Sequence, residues 1–228
     1  MAGKDTEPMR NITFDMSRME DCGWAYYDFL KLRKRFFVDS LGWDLPNDGI
    51  VEMDQYDTPL AHYSVVVDGN KVIAGARCQP TTTSWGMYSN MLNDAANGLL
   101  EGIPAQLFDI DLCGPDVWEG TRLVVGDEVT SRLRRMQCLA LTIDGLIRVI
   151  SARGGKSFLT LSPLPLQRTA ALVGLSAERI TPAYQSYGDG REYAIFRCKA
   201  ERAVERLRQL GIDPETHEVV GKAFSAVG

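Results

Sequence analysis

Apolar and aromatic side chains recur at mixed three- and four-residue spacing from about Glu20 to Val38, which predicts an amphipathic helix stopped by Gly42 and Pro46. HYSVVVD and KVIAGARC then flank Asp68-Gly69-Asn70. Gly and Asn tolerate the positive φ of a tight turn, so these runs predict an antiparallel hairpin. Ala105 to Asp111 and Val117 to Val125 read as two further strands joined through the turn Gly114-Pro115. The longest helical pattern runs from about Glu128 to Ala152, with Leu133, Met136, Leu139, Ala140, Ile143, Ile147 and Ile150 on one stripe and Gly154-Gly155 as its stop. KSFLTL predicts a strand, and SPLPLQRTAALVGL a short helix opening near Pro165, where a missing N-H does no harm. TPAYQSY and REYAIFRC predict a second hairpin about Gly188-Asp189-Gly190, followed by a helix over Ala200 to Leu210. Hairpins mixed with a strand-helix-strand crossover place the chain in the α/β (α+β) class, with a central mixed sheet flanked by helices.

A chain of 228 residues, 45% hydrophobic, suits one domain over residues 1–228, with residues 1–20 expected to be flexible or only partly ordered. No apolar run approaches the roughly 18 residues of a membrane span. The N-terminus carries scattered charge and no apolar segment, so it does not read as a secretory signal, and a cytoplasmic location is expected. Five cysteines without CxxC spacing predict reduced, mostly buried thiols, and two histidines exclude a multi-histidine metal site, so no metal is expected. The net charge of -5 argues against nucleic acid as a partner. That average hides an asymmetry: Phe36 to Asn70 holds seven acids and no Lys or Arg, whereas Ser131 to Arg168 holds seven bases and the single acid Asp144. The first segment suits a cationic ligand and the second an anionic partner, although solvated surface explains either one equally well.

Candidate chemistry concentrates between Arg33 and Asp57. Arg33, Phe37 and Trp43 are followed by Glu52, Asp54 and Asp57 in EMDQYD. A purely structural reading puts the aromatics in the core and the acids in a solvated loop. Alternate acids also suggest a calcium loop, but the glycine and the distal glutamate of that motif are missing. The pattern R-x3-F, the tryptophan inside LGWDLP, and E-x-D-Q-x-D resemble the N-terminal signature of the acyl-homoserine-lactone synthases, which make quorum-sensing autoinducers. GAR ending at Arg77, the PTT of Pro80 to Thr82, and WEGTRLVV with Glu119 and Arg122 are similar to the second half of that signature. The resemblance is close over Arg33 to Val125 and looser beyond.

The resemblance implies a GNAT-like fold with a substrate cleft at the splayed centre of the sheet. It implies S-adenosylmethionine as the amine substrate, an acyl-acyl carrier protein as donor (acyl-coenzyme A in some members), no cofactor, and release of the acyl-homoserine lactone and methylthioadenosine. On that basis Trp43 and Phe37 are expected to wall the sulfonium end, since an aromatic face attracts a cation, and Arg33 to hold the carboxylate. Asp54, Asp57 and Glu119 are expected to form a charge-paired cluster with Arg77 and Arg122. Glu119 is the first choice for taking the amine proton, directly or through water. Backbone N-H groups near Thr121 to Leu123 are expected to stabilise the oxyanion. Arg132, Arg134, Arg135, Arg153 and Lys156 suit the acidic carrier protein. Leu92, Thr121 and Leu175 stand where the family commonly has phenylalanine, serine and tryptophan, which bears on the acyl pocket, where Thr160 is a further candidate. A coenzyme-A-dependent N-acyltransferase of related fold, and a homologue that binds without turnover, are the alternatives.

Overall fold

The computed structural model describes residues 8–105, 112–186 and 188–220. In chain order the elements are β1 (Arg10–Asp15), α1 (Met19–Arg33), β2 (His62–Asp68), β3 (Lys71–Pro80), α2 (Met91–Ala96), β4 (Val117–Val125), α3 (Arg132–Ala152), β5 (Ser157–Pro163), α4 (Leu166–Leu172), β6 (Ala177–Arg179), β7 (Tyr184–Gln185), β8 (Glu192–Lys199) and α5 (Val204–Gln209). The described strands form one sheet in the order β1-β2-β3-β4-β5-β8-β6, with β7 paired to β8. Every pairing is antiparallel except β4 with β5, which α3 connects.

The predicted hairpin forms about Gly69, which takes φ +58°. Its strands read as continuous apolar runs because both faces of the sheet are covered. Tyr63, Val65 and Val67 pack toward α1, whereas Val66 packs toward α3 and Ser64 Oγ donates to the Thr142 carbonyl. Gly75 lets the Phe29 ring of α1 lie directly on β3, since a Cβ there would come within 2.7 Å of it.

Several expectations are corrected. The helix predicted to Val38 is α-helical only to Arg33 and continues as a π-helical turn over Lys34–Ser40, a wider winding that spacing arguments do not reveal. α3 begins at Arg132, capped by Ser131, and not at Glu128. Leu133, placed on its buried stripe by periodicity, is exposed in the first turn. β1 falls within the stretch expected to be loosely ordered; its pairing with β2 supplies what its sequence does not announce. α2 and β6 are short and carry no clear periodicity. Of the strand expected over Ala105 to Asp111, all but Ala105 lies outside the described residues.

Candidate active site

Parallel pairing of β4 with β5 covers Val117↔Ser157 to Glu119↔Leu159, after which the two strands part. β4 then follows β3 while β5 follows β8. Where β4 bends away, Arg122 and Leu123 face the single residue Ala76, a bulge between the pairs Arg77↔Thr121 and Gly75↔Val124. Arg122 takes φ +57°, a left-handed conformation that costs a non-glycine residue roughly 1–2 kcal/mol. Such strain recurs at functional sites and turns a side chain out of strand alternation.

The wedge between the strands opens into a cleft of about 610 Å³, lined among others by Phe37, Trp43, Asp54, Thr121, Arg122, Thr160 and Tyr193. Phe37 and Trp43 stack with ring centroids 5.2 Å apart, and the Arg122 guanidinium lies 5.5 Å from the Phe37 centroid. The π-helical turn and the backbone bond from Trp43 N to the Phe37 carbonyl (3.0 Å) set this pair. Thr121 Oγ1 accepts from Arg77 Nε at 3.2 Å, and Thr160 Oγ1 lies 2.9 Å from Ser162 Oγ. On the α3 side a second cavity, about 910 Å³, shares Phe36, Leu123, Pro163 and Arg191 with the first and reaches Arg132 and Arg135.

Beneath the cleft lies a buried cluster of three guanidiniums and three carboxylates. Arg33 donates from Nε to Glu52 (2.6 Å) and from both terminal nitrogens to Asp57 (2.8 and 2.9 Å). Arg77 pairs with Asp54 (2.5 Å) and Asp57 (2.9 Å), and Arg122 with Asp54 (2.7 Å) and Glu52 (3.2 Å). Burial alone would raise the acids, yet Arg77 and Arg122 hold Asp54 below the usual carboxylate range, and Arg77 and Arg33 hold Asp57 far below it. The cluster was expected, but its membership was not. Glu52 and Arg33 belong to it, and Glu119 does not. Arg33 is fully buried with its donors committed to acids and does not line the cleft, so its assignment to a substrate carboxylate is withdrawn.

Glu119 is 1% exposed and also absent from the cleft wall. It accepts from the backbone N-H of Leu92 (2.7 Å) and Met91 (3.1 Å) and from Gln79 Nε2 (3.2 Å), which anchors α2 to the sheet. Burial raises its pKa, opposed by those three donors. Leu92 is fully buried with Leu112, Leu159 and Ile195 and does not line the cleft; Met91 does. Leu175 packs in the core on the α3 side.

The five bases proposed for a carrier protein do not form one patch. Arg132, Arg134 and Arg135 are exposed at the start of α3, while Arg153 and Lys156 lie past its other end, roughly 30 Å away for 21 residues at about 1.5 Å each. Arg134 pairs with Asp68 (2.7 Å), Arg135 donates to the carbonyls of Gly126 and Val129, Arg153 faces Asp15 (3.6 Å), and Lys156 faces Asp116 (3.3 Å). Reading the bases along the chain ignored the length of the helix that separates them. Sequence reasoning also passed over Arg191, which lines both cavities, and Tyr193. Neither stands in a motif, because pairing with β5 alone brings β8 to the cleft.

Residues 19–183 match the family model described as autoinducer synthase. The chain is 30% identical over 179 residues, 76% of its length and 90% of the relative's, to an acyl-homoserine-lactone synthase of Acinetobacter nosocomialis. Its fold is similar to that of MesI, a CoA-dependent acyl-homoserine lactone synthase (TM-score 0.69, 16% identity, 96% of this chain and 100% of that chain). It is also similar to TofI in a ternary complex with an inhibitor and MTA (TM-score 0.67, 22% identity, 90% of this chain and 98% of that chain). The sheet is GNAT-like, and the match over residues 19–183 together with the 30% identity establishes that this chain belongs to the acyl-homoserine-lactone synthases, a family of acyltransferases.

Proposed function

We propose that the cleft takes S-adenosylmethionine and that its amine attacks an acyl thioester delivered along the second cavity. The observation that carries this reading is the stacked Phe37-Trp43 wall at the β4/β5 wedge, which meets a sulfonium with aromatic faces. Arg122 and Arg191 line the same cleft and supply positive charge for the substrate carboxylate. β4 lacks a pairing partner on the β5 side beyond Glu119, which leaves backbone N-H groups near Thr121 to Leu123 as candidates to meet the developing oxyanion.

An α-amine of pKa about 7.7–8.0 is partly neutral near neutral pH, so a modest acceptor suffices for its proton. We assign proton uptake to Glu119 through water: its carboxylate does not reach the cleft, but Met91, whose N-H it binds, lines the wall, and a relayed proton needs no direct contact. Its raised pKa suits it better than Asp54 or Asp57, whose guanidinium partners hold them ionised. Gln79 supports the assignment: its Oε1 is buried without a hydrogen-bond partner among the described residues, and a half-turn of the amide would present that acceptor to a protonated Glu119. Collapse of the tetrahedral intermediate breaks the carbon-sulfur bond of the thioester. The carboxylate oxygen of the acylated product then attacks the carbon beside the sulfonium, closing the lactone and expelling methylthioadenosine.

The donor we propose is an acyl-acyl carrier protein. The first turn of α3 holds Arg132 and Arg134 and no acid, so helix dipole and side chains both favour a phosphate there. The proposed location is the cytoplasm, where both substrates are made; among the described residues no helix is long and apolar enough to cross a membrane. The test is incubation of the purified chain with S-adenosylmethionine and either acyl-carrier protein or acyl-coenzyme A, with mass spectrometry of the products. Lactone and methylthioadenosine from the carrier protein support the full reading. Products from the coenzyme A thioester alone overturn the donor assignment, and binding of S-adenosylmethionine without methylthioadenosine release overturns the reaction.

A further inference from the structure

We propose that Asp189, in the β7-β8 hairpin turn, is a positioning residue for the reaction: it latches the Trp43 indole into the cleft wall and so joins two walls from distant parts of the chain. The inference rests on the reading that this cleft binds S-adenosylmethionine. Trp43 Nε1 donates to Asp189 Oδ2 at 3.3 Å across 146 residues of sequence, and the Tyr193 hydroxyl donates to the same oxygen at 2.7 Å. Asp189 Oδ1 accepts from the Arg191 backbone N-H at 3.1 Å, which fixes the carboxylate within its own turn. The side chain is 5% exposed, and Asp189 does not line the cleft, whereas Trp43 and Tyr193 both do.

Phe37 holds the indole by stacking, but stacked rings slide, and the bond at Nε1 fixes the edge from which the ring would pivot. A carboxylate on an indole N-H also polarises the ring toward greater electron density, which strengthens its attraction for a cation. Gly188 brings the turn beside the indole: a Cβ there would stand 3.8 Å from Trp43 Cδ1, at ordinary van der Waals contact. Arg191 Nε also stands 3.9 Å from Asp189 Oδ2, a contact that depends on the carboxylate charge, whereas the latch on Trp43 needs only an acceptor oxygen; Asp189→Asn separates the two.

The test uses the full chain labelled with 15N-tryptophan. Trp43→Phe identifies which of the four indole N-H resonances belongs to Trp43. In Asp189→Ala that resonance is expected to shift and exchange faster with water, while KM for S-adenosylmethionine rises about five- to tenfold and kcat stays within about twofold. Asp189→Asn keeps one acceptor oxygen for the Trp43 and Tyr193 bonds, gives up the bond from the Arg191 N-H, and is expected to recover most of the KM. Tyr193→Phe keeps the ring and removes one bond, so it should move KM the same way by less. An unshifted indole resonance in Asp189→Ala overturns the latch whatever the activity. A shifted resonance with unchanged KM, or a fall in kcat alone, overturns the positioning role. If the wild-type chain makes no product from S-adenosylmethionine, the reading of the site fails, and the resonance still decides the latch.

Discussion

Trp43 presents an edge to Tyr193 and Asp189, a face to Phe37, and the rest of its surface to the cleft. If that surface meets the sulfonium, Trp43→Ala should raise KM for S-adenosylmethionine roughly 3- to 30-fold with little change in kcat, as steady-state kinetics would read. Glu119 differs because its oxygens are already engaged. Glu119→Gln preserves shape but turns a buried NH2 toward the N-H of Leu92 or Met91, so it should cost about 1–3 kcal/mol of stability, and loss of proton uptake should lower kcat per folded molecule by at least about 100-fold. Full kcat in that variant would reduce Glu119 to an anchor of α2. Nothing at the level of residue type distinguishes these roles; an acid inside WEGT reads the same whether it faces the cleft or a helix end.

Along the elements, α3 separates the basic residues into two groups roughly 30 Å apart, and only the first borders the second cavity. Arg132→Ala combined with Arg135→Ala should lower kcat/KM for the carrier-protein donor, and the loss should shrink as salt is added, because exposed charges are screened. Lys156→Ala, past the opposite end of the helix, should leave the same parameter nearly unchanged. An equal effect from Lys156 would place the carrier elsewhere. Helix-on-sheet packing gives a second expectation: Gly75→Ala drives a methyl into the Phe29 ring and should cost about 1–3 kcal/mol in denaturant unfolding. Gly75 belongs to the GAR motif, yet here it answers to packing and its neighbour Arg77 to the charge cluster.

In the molecule as a whole, the six-membered charge cluster ties α1, the Glu52–Asp57 loop, β3 and β4 together beneath the cleft. Arg33→Ala leaves Glu52 and Asp57 short of a counter-ion in a dry interior and should destabilise the fold by roughly 3–5 kcal/mol, so its activity must be judged against the folded fraction. Asp54 and Asp57 have folded pKa values below the unfolded value of about 3.9. The stability they contribute is therefore complete above about pH 4 and is lost as pH falls through their folded values. The thermal midpoint should drop steeply on that acid side. Glu119, with its pKa raised, has the opposite sign: its contribution is present below about pH 4.3 and is lost as pH rises through its folded value.

Periodicity and turn chemistry by themselves determined the β2-β3 hairpin, the span of β4, the body of α3 and the start of α4 just after Pro165, because each rests on neighbours in sequence. The signature residues between Arg33 and Arg122 likewise announced both the family and a cluster of paired charges. Only the tertiary structure decided which charges pair. Arg33 is drawn under the sheet by α1 while Arg122 is turned into the cleft by a bulge and a positive φ, though both are arginines of one signature. It likewise decided that Glu52 and not Glu119 completes the cluster, and that Asp189 meets Trp43 across 146 residues. Local spacing specifies which backbone hydrogen bonds can close, whereas the partner of a buried charge depends on strand order and helix length, which no local pattern encodes.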